Sequence, residues 1–234
     1  MQISASTGVP TRRESEVYEG RLPLDGARIL ELGCGRAQLT RAIATTGRDR
    51  HLLALEVDAI QHGLNLAIDD LPNVRFDLAG AEAIPAAEGA FDVAFMFKSL
   101  HHVPAERMGD ALREIARVLR PGGLAWISEP VYDGAFNDLI RLFHDEGRVR
   151  RLAFEAVRGA VEAGTLQLVE QIFFDVPVEF RDFAEFERLI LGATHTRHSL
   201  SPETLAEVRA GFERQQTSEG VRFSQPMRVD LLRR

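Results

Sequence analysis

Residues Arg28–Ala44 read RILELGCGRAQLTRAIA, and the choice of fold turns on them. Arg28–Leu32 is a short apolar run that carries one acid, Glu31, and is closed by Gly33. Gly35 follows, and from Ala37 onward the apolar residues Leu39 and Ile43 recur at helical spacing. That succession is strand, tight glycine turn, helix, the opening unit of a doubly wound α/β sheet. The glycines let the backbone approach a ligand closely, and the first helical turn offers free N–H groups to an anion.

Spacing separates the two nucleotide classes that use such a unit. A dinucleotide fingerprint, G-x-G-x-x-G/A, needs its third small residue at position 38, where helix and strand pack closely. Position 38 is Gln, and the small residue falls one place earlier, at Ala37. The stretch Glu31-Leu32-Gly33-Cys34-Gly35-Arg36-Ala37 therefore resembles the first motif of the class I S-adenosylmethionine (AdoMet)-dependent methyltransferases, E/D-x-G-x-G-x-G, with Ala37 in place of the third glycine.

The 234 residues suit one α/β domain, with length beyond a minimal sheet of about 150 residues. An apolar share of 45% fills a core, and a net charge of −7 argues against a broad nucleic-acid footprint. Arginine supplies almost all the positive charge, since Lys98 is the only lysine. A single cysteine, Cys34, excludes an internal disulfide and fits a reducing compartment. No apolar run reaches membrane-spanning length and the first residues lack a signal-peptide core, so the expectation is a cytoplasmic protein.

Arg12–Glu19 reads as one short helix carrying Tyr18, after a polar start; by the resemblance, residues 1–20 are a tail or a lid over the cofactor. Further strands are expected at His51–Glu56, Asn73–Leu78, Phe91–Phe97 and Leu124–Ser128. Asp58 and Gln61 make a D-x-x-Q capping box for a helix to about Asp70, which leaves Glu56 free at the end of its strand. Pro104 sets a helix with Met108, Leu112, Ile115 and Leu119 on one stripe, ending at Pro121-Gly122-Gly123. Beyond Pro130, amphipathic helices are expected around Phe136–Phe143 and Val149–Val161. An extended run follows at Gln167–Arg181, then helices at Phe183–Leu191 and after Ser201-Pro202, and a last strand at Pro226–Leu232. No repeat or linker divides the chain, so 1–234 reads as one domain.

The resemblance extends over roughly residues 25–130 through the F-D-x-x-x, H-H-V-P and L-R-P-G-G patterns around positions 91, 101 and 119. It implies a Rossmann-like seven-stranded sheet in the order 3-2-1-4-5-7-6, last strand antiparallel, with helices on both faces. It also implies a helical insertion at 131–166 that caps the acceptor. The cofactor it implies is AdoMet, held by Glu31, Gly33, Cys34 and Gly35 of the glycine turn, by Glu56 and Val57 at the ribose, and by Phe97 and Lys98 after strand four. Where the family places an Asp for the adenine amino group, this chain has Gly80, which leaves the backbone of Ala81, Glu82, or apolar contacts from Ile84 to serve adenine.

In an open parallel sheet, ligands sit beyond the carboxyl ends of the strands where strand order reverses. The glycine turn and the loop Lys98–His102 then face one crevice, and His101 or His102, the latter favoured, is the candidate general base. Glu129, Tyr132 and Asp133 follow the fifth strand. Tyr132, Phe136, Ile140 and Phe143 are the candidate acceptor-lining residues. His144, His195 and His198 show no two-histidine helical spacing, so no metal is expected. Arg148, Arg150, Arg151 and Arg158 read as a solvated helix face. The N/D-P-P-Y/F motif of amino-group methylases is absent, since Phe97-Lys98-Ser99-Leu100 stands there. The expected activity is methyl transfer from AdoMet to a small molecule, with neither nucleic acid nor membrane as partner. The alternatives are an AdoMet-binding regulatory or structural protein, and an NAD(P)-dependent oxidoreductase, which Gln38 disfavours.

Overall fold

The glycine unit forms as its sequence requires, and the rest of the chain winds around it in a computed structural model that describes residues 1–5, 8–192 and 200–234. His195 and His198 lie outside the described residues. In chain order the elements are α1 (Glu14–Glu19), β1 (Arg28–Leu32), α2 (Gln38–Thr45), β2 (His51–Glu56), α3 (Ala59–Asn65), β3 (Val74–Leu78) and β4 (Phe91–Phe97). They continue with α4 (Met108–Val118), β5 (Leu119–Pro130), α5 (Gly134–Ile140), α6 (Gly147–Glu162) and β6 (Gln167–Phe180). The last are α7 (Phe183–Phe186), α8 (Pro202–Glu213), β7 (Gln216–Thr217) and β8 (Gly220–Arg233). The strands make one sheet in the order β3-β2-β1-β4-β5-β8-β6, with the two-residue β7 paired to β8. β1 to β5 run parallel, while β8 is antiparallel to both β5 and β6. Apart from the short β7, this is the expected order.

Alternation along the strands divides the core between two faces. Leu30, Leu32, Met96, Ile127 and Leu232 point to one face, where α4 and α6 cover them through Leu112, Ile115, Ala153 and Val157. Ile29, Phe95, Trp126, Val229 and Leu231 point to the other and meet Ile43 of α2 and Val17 and Tyr18 of α1. α1 is thus docked by a buried face. The Tyr18 ring lies 5.3 Å from Phe95, 5.9 Å from Phe97 and 6.2 Å from Trp126, and Trp126 Nε1 donates to Glu14 at 3.0 Å. Tyr18→Ala should therefore cost about 3–5 kcal/mol of stability, as other aromatic truncations in cores do. Thermal or denaturant unfolding measures this, and a cost below about 1 kcal/mol would show that α1 is not part of the core.

Five local expectations need correction. The Asp58 carboxylate caps α3 through the Ile60 and Gln61 amides, but the Asp58 amide turns to Glu56 and Gln61 donates to Asn65, so only half of the capping box forms. α3 also stops at Asn65, well short of Asp70. Pro104 precedes a separate 3₁₀ turn, Ala105–Arg107, and α4 begins only at Met108. At its far end α4 stops at Val118: Leu119 already pairs with Phe91, and the Pro121–Gly123 stretch is absorbed as a bulge at the start of β5. The expected helix at Phe183–Leu191 is one α turn followed by a π turn, Glu187–Leu191.

The last strand is much longer than expected, and its register explains why a third core exists. Met227 of β8 faces Pro130 at the end of β5, yet β8 stays paired with β6 well beyond that point, as far as Val221 opposite Phe180. This ribbon runs on past the carboxyl edge of the sheet by roughly 20 Å at about 3.3 Å per residue. Phe180, Val221 and Phe223 on the ribbon, Phe136 and Leu139 of α5, Phe183 and Phe186 of α7, and Val208 and Phe212 of α8 form a separate apolar cluster there. The helices at 131–166 accordingly divide. α5 joins this cap against β8, whereas α6 packs on α4 at the main core.

Candidate cofactor and acceptor site

Three turns meet at the carboxyl ends of β1, β2 and β4. Gly33 (φ +71°) and Gly35 (φ +52°) take the left-handed conformation, as does Ala37 (φ 56°), the residue standing where the family has its third glycine. A Cβ on Gly33 would lie 2.8 Å from Ser99 Cβ, so this glycine is required by the close approach of the β4 loop. A Cβ on Gly35 would meet nothing within 4 Å, which leaves the turn open on its ligand side. The Cys34 side chain is buried with Ala37, Ala54 and Phe76, and burial pushes its thiol pKa up; only its backbone is left for a ligand.

Glu56 is not the free carboxylate that the sequence suggests. It is 7% exposed and accepts from the amides of Gly35 (2.7 Å), Val57 (2.8 Å) and Asp58 (2.9 Å), so it ties the glycine turn to the end of β2. A carboxylate offers about four acceptor positions, which leaves room for a hydroxyl donor. Behind it a polar chain that the sequence did not reveal supports the turn. Gln61 Nε2 donates to Asn65 Oδ1 at 2.9 Å, and Asn65 Nδ2 donates to Gly35 O at 2.7 Å. The only signal was two amides one helical turn apart on the same face.

Glu31, on the same sheet face, is 2% exposed and accepts from Thr40 Oγ1 at 2.6 Å. Burial pushes its pKa up to about 7, against the Thr40 hydrogen bond, and Glu56 adds to the rise. Among the described residues no ion pair to Glu31 is found, so a buried acid awaits a cation. Its folded pKa stands above the unfolded value of 4.5. Its burial therefore costs the folded state little below about pH 4.5 and increasingly more up to about pH 7, where the cost levels off at about 3 kcal/mol. A bound cation removes that penalty, so affinity for a cationic ligand should rise with pH over the same window. Calorimetric titrations from about pH 5 to about pH 8 measure this, and a flat profile would contradict it.

Near the adenine position, Gly80 leaves a gap that is already filled. A Cβ built there would collide with the Glu82 carboxylate, which curls into the space of the family's Asp. The Ala81 and Ile84 side chains are buried in the main core, which leaves the backbone of Ala81 toward this position. Val57, Ile60 and Leu78, which end β2 and β3 and begin α3, are more than half exposed. Apolar side chains at that mouth, a carboxylate in the Gly80 gap, an open Gly35 and a buried acid without a counter-charge all suit a cationic adenosyl ligand.

Across the crevice, Phe97 is buried and stacks on Phe95 at 4.9 Å, leaving its backbone to the ligand. Lys98 follows with φ 51°, a strained turn for a residue with a side chain, and its amide donates to Ser128 O at 2.7 Å. Ser99 Oγ donates to Leu32 O at 2.9 Å, binding this loop to the glycine turn. The next two residues of note divide in role. His101 is 5% exposed, with Nδ1 hydrogen-bonded to Glu129 and Nε2 3.4 Å from Glu146. Burial alone would lower its pKa, but these two carboxylates raise it to about 9. Glu146, also buried, is held well below the usual carboxylate range by His101 and Arg150 despite its desolvation. His102 is exposed and lies face-tilted on His101, ring centroids 4.1 Å apart.

The acceptor-side residues are less uniform than expected. Phe136 is buried against Phe180 and Phe223, so it is part of the cap core. Ile140 and Phe143 are half-buried at the border of that cluster. Tyr132 is 39% exposed, and its hydrogen bond to Asp145 raises its pKa. Arg150 is no solvated charge, since its side chain is only 10% exposed and donates to Glu146 at 2.6 Å. A cleft of about 350 Å³ lies at the far end of the β6–β8 ribbon, lined by Phe180, Arg181, Glu185 and Arg222, but none of the crevice residues borders it.

Comparison with known proteins agrees with this geometry. The profile of a family described as "Methyltransferase domain" matches residues 29–123. The 27-O-demethylrifamycin SV methyltransferase of Amycolatopsis mediterranei is 33% identical over 127 residues, 51% of this chain and 45% of its own. The O-methyltransferase rstn1 of Aspergillus nomiae is 34% identical over 142 residues, 57% of this chain and 61% of its own. The chain thus spans about half the length of the curated relatives it matches. The YcgJ protein of Bacillus subtilis superposes with a TM-score of 0.63 at 16% identity, over 94% of this chain and 97% of that one, which shows a shared fold. No helix among the described residues is long and apolar enough to cross a membrane. Residues 29–123 thus match a methyltransferase domain, the glycine turn and strand order agree with the class I AdoMet-dependent methyltransferase fold, and AdoMet is the cofactor that this match and this fold support.

Proposed function

We propose that this chain methylates a hydroxyl group of a small, partly apolar molecule. The single observation that carries the reading is the exposed His102 on a loop pinned to the glycine turn by Ser99. When bound, AdoMet supplies a methyl group already activated on a sulfonium centre. The chain's own residues then have three tasks. Glu31 and Glu56 hold positive charge and ribose hydroxyls, with Glu82 in the Gly80 gap and Val57 and Leu78 against the adenine. His101, an imidazolium between Glu129 and Glu146, fixes the loop and does not take up a further proton. His102 accepts the proton of the acceptor hydroxyl on a ring nitrogen and passes it to solvent, a role that contributes about 10²–10⁴-fold. Alignment supplies the rest of the acceleration.

The acceptor lies between this loop and the cap, with Ile140, Phe143 and Tyr132 at its border. The names of two relatives, an O-methyltransferase and an enzyme of 27-O-demethylrifamycin, support oxygen as the acceptor atom. The net charge of −7 supports a small molecule over nucleic acid. Incubation with methyl-labelled AdoMet and a panel of phenols and macrocyclic alcohols tests the proposal. Acceptor-dependent label transfer is expected. Stoichiometric AdoMet binding with transfer only to amines or thiols, or to nothing in the panel, would overturn the hydroxyl assignment.

A further inference from the structure

We propose that His101, His102 and Glu146 form a binding site for a divalent cation of the zinc class. One donor atom from each of the three residues lies within 4.8 Å of the other two. Donors about 2.1 Å from a tetrahedral ion stand roughly 3.4 Å apart. His101 Nε2 and Glu146 Oε1 are 3.4 Å apart, one edge of such a tetrahedron. The remaining separations close with side-chain shifts of roughly 1 Å. His144 Nε2 lies 3.0 Å from the same Glu146 oxygen, so a further nitrogen donor borders the set.

The surroundings are those of a ligand set and not of a chance contact. His101 Nδ1 is bonded to the buried Glu129, the carboxylate–histidine arrangement that orients metal-binding imidazoles through their other nitrogen. Glu146 Oε2 is held by Arg150, which leaves Oε1 toward the histidines. A cation that displaces the His101 proton meets Glu129 and Glu146 against the single charge of Arg150, so the cluster attracts it. Two nitrogens and one carboxylate oxygen suit zinc better than magnesium, which prefers oxygen ligands. His102 is exposed, so a cation can reach the set from solvent.

A cation there uses the His102 lone pair that proton removal needs. It therefore inhibits methyl transfer, a consequence that rests on the proposed function, whereas binding itself does not. Zinc titrated into the full chain without AdoMet, followed by calorimetry with magnesium as control, tests the site. One Zn²⁺ per chain and no magnesium uptake are expected. His102→Ala, at an exposed position, should weaken zinc about 10- to 100-fold without altering the circular dichroism. Glu129→Gln should weaken it by about 10-fold or more through loss of ring orientation. Absence of stoichiometric zinc binding, or equal binding by wild type and His102→Ala, would overturn the site. Failure of every acceptor to be methylated would leave the outcome of this titration unchanged.

Discussion

His102→Ala should lower kcat by about 10²–10⁴-fold while AdoMet affinity changes little. The side chain lies on the loop that Ser99 ties to the glycine turn, and it is the exposed member of the histidine pair. Its neighbour cannot replace it, because both His101 nitrogens face buried carboxylates and its proton is held to about pH 9. The loss should shrink as pH rises, since hydroxide and the ionised acceptor then substitute for the base. Single-turnover rates across pH separate this from a packing effect, which would lower the rate by the same factor at every pH. Full turnover by His102→Ala near neutrality would show that alignment alone carries the reaction. His101→Asn makes the opposite control. It should disturb the loop, Glu129 and Glu146 together, and so reduce both stability and rate.

Glu56→Ala is the second large effect, and it should act on binding before chemistry. Removing the carboxylate strands three amides, those of Gly35, Val57 and Asp58, and takes away the ribose acceptor. Loss of a charge-assisted acceptor weakens a ligand by about 1–3 kcal/mol, roughly 5- to 150-fold in dissociation constant. The stranded amides should lower the stability of the free protein by a similar amount. Glu56→Gln keeps one oxygen for the turn but changes the charge, so it should recover part of the stability and less of the affinity. Unchanged AdoMet affinity in Glu56→Ala would place the ribose elsewhere.

How much of this was legible in the sequence depended on how local the cause was. The strands of the parallel half, Arg28–Leu32, His51–Glu56 and Phe91–Phe97, were readable residue for residue because apolar runs and glycine turns are short-range signals. The glycine turn and the resemblance it carries followed from a handful of residues. What failed was competition between partners. The Asp58 amide had two acceptors within reach, Gln61 in sequence and Glu56 in space, and the carboxylate won as the stronger acceptor. Glu146 gave no local signal, since its meeting with His101 needs α6 to fold back onto α4 and the β4 loop. Phe136 had the periodicity of a helix face, but whether that face met ligand or protein depended on the length of β8, at the other end of the remaining chain. Glu82 was a candidate from the sequence, but that its carboxylate fills the gap at Gly80 is set by the fold.

Calorimetric titration of the chain with AdoMet and, separately, with NAD tests the central assignment most directly, because both ligands would use the same glycine turn. One AdoMet per chain, with affinity rising toward about pH 8 as Glu31 ionises and with no NAD uptake, is the expected result. Stoichiometric NAD binding, or no AdoMet binding by a folded chain at any pH in that window, would contradict it.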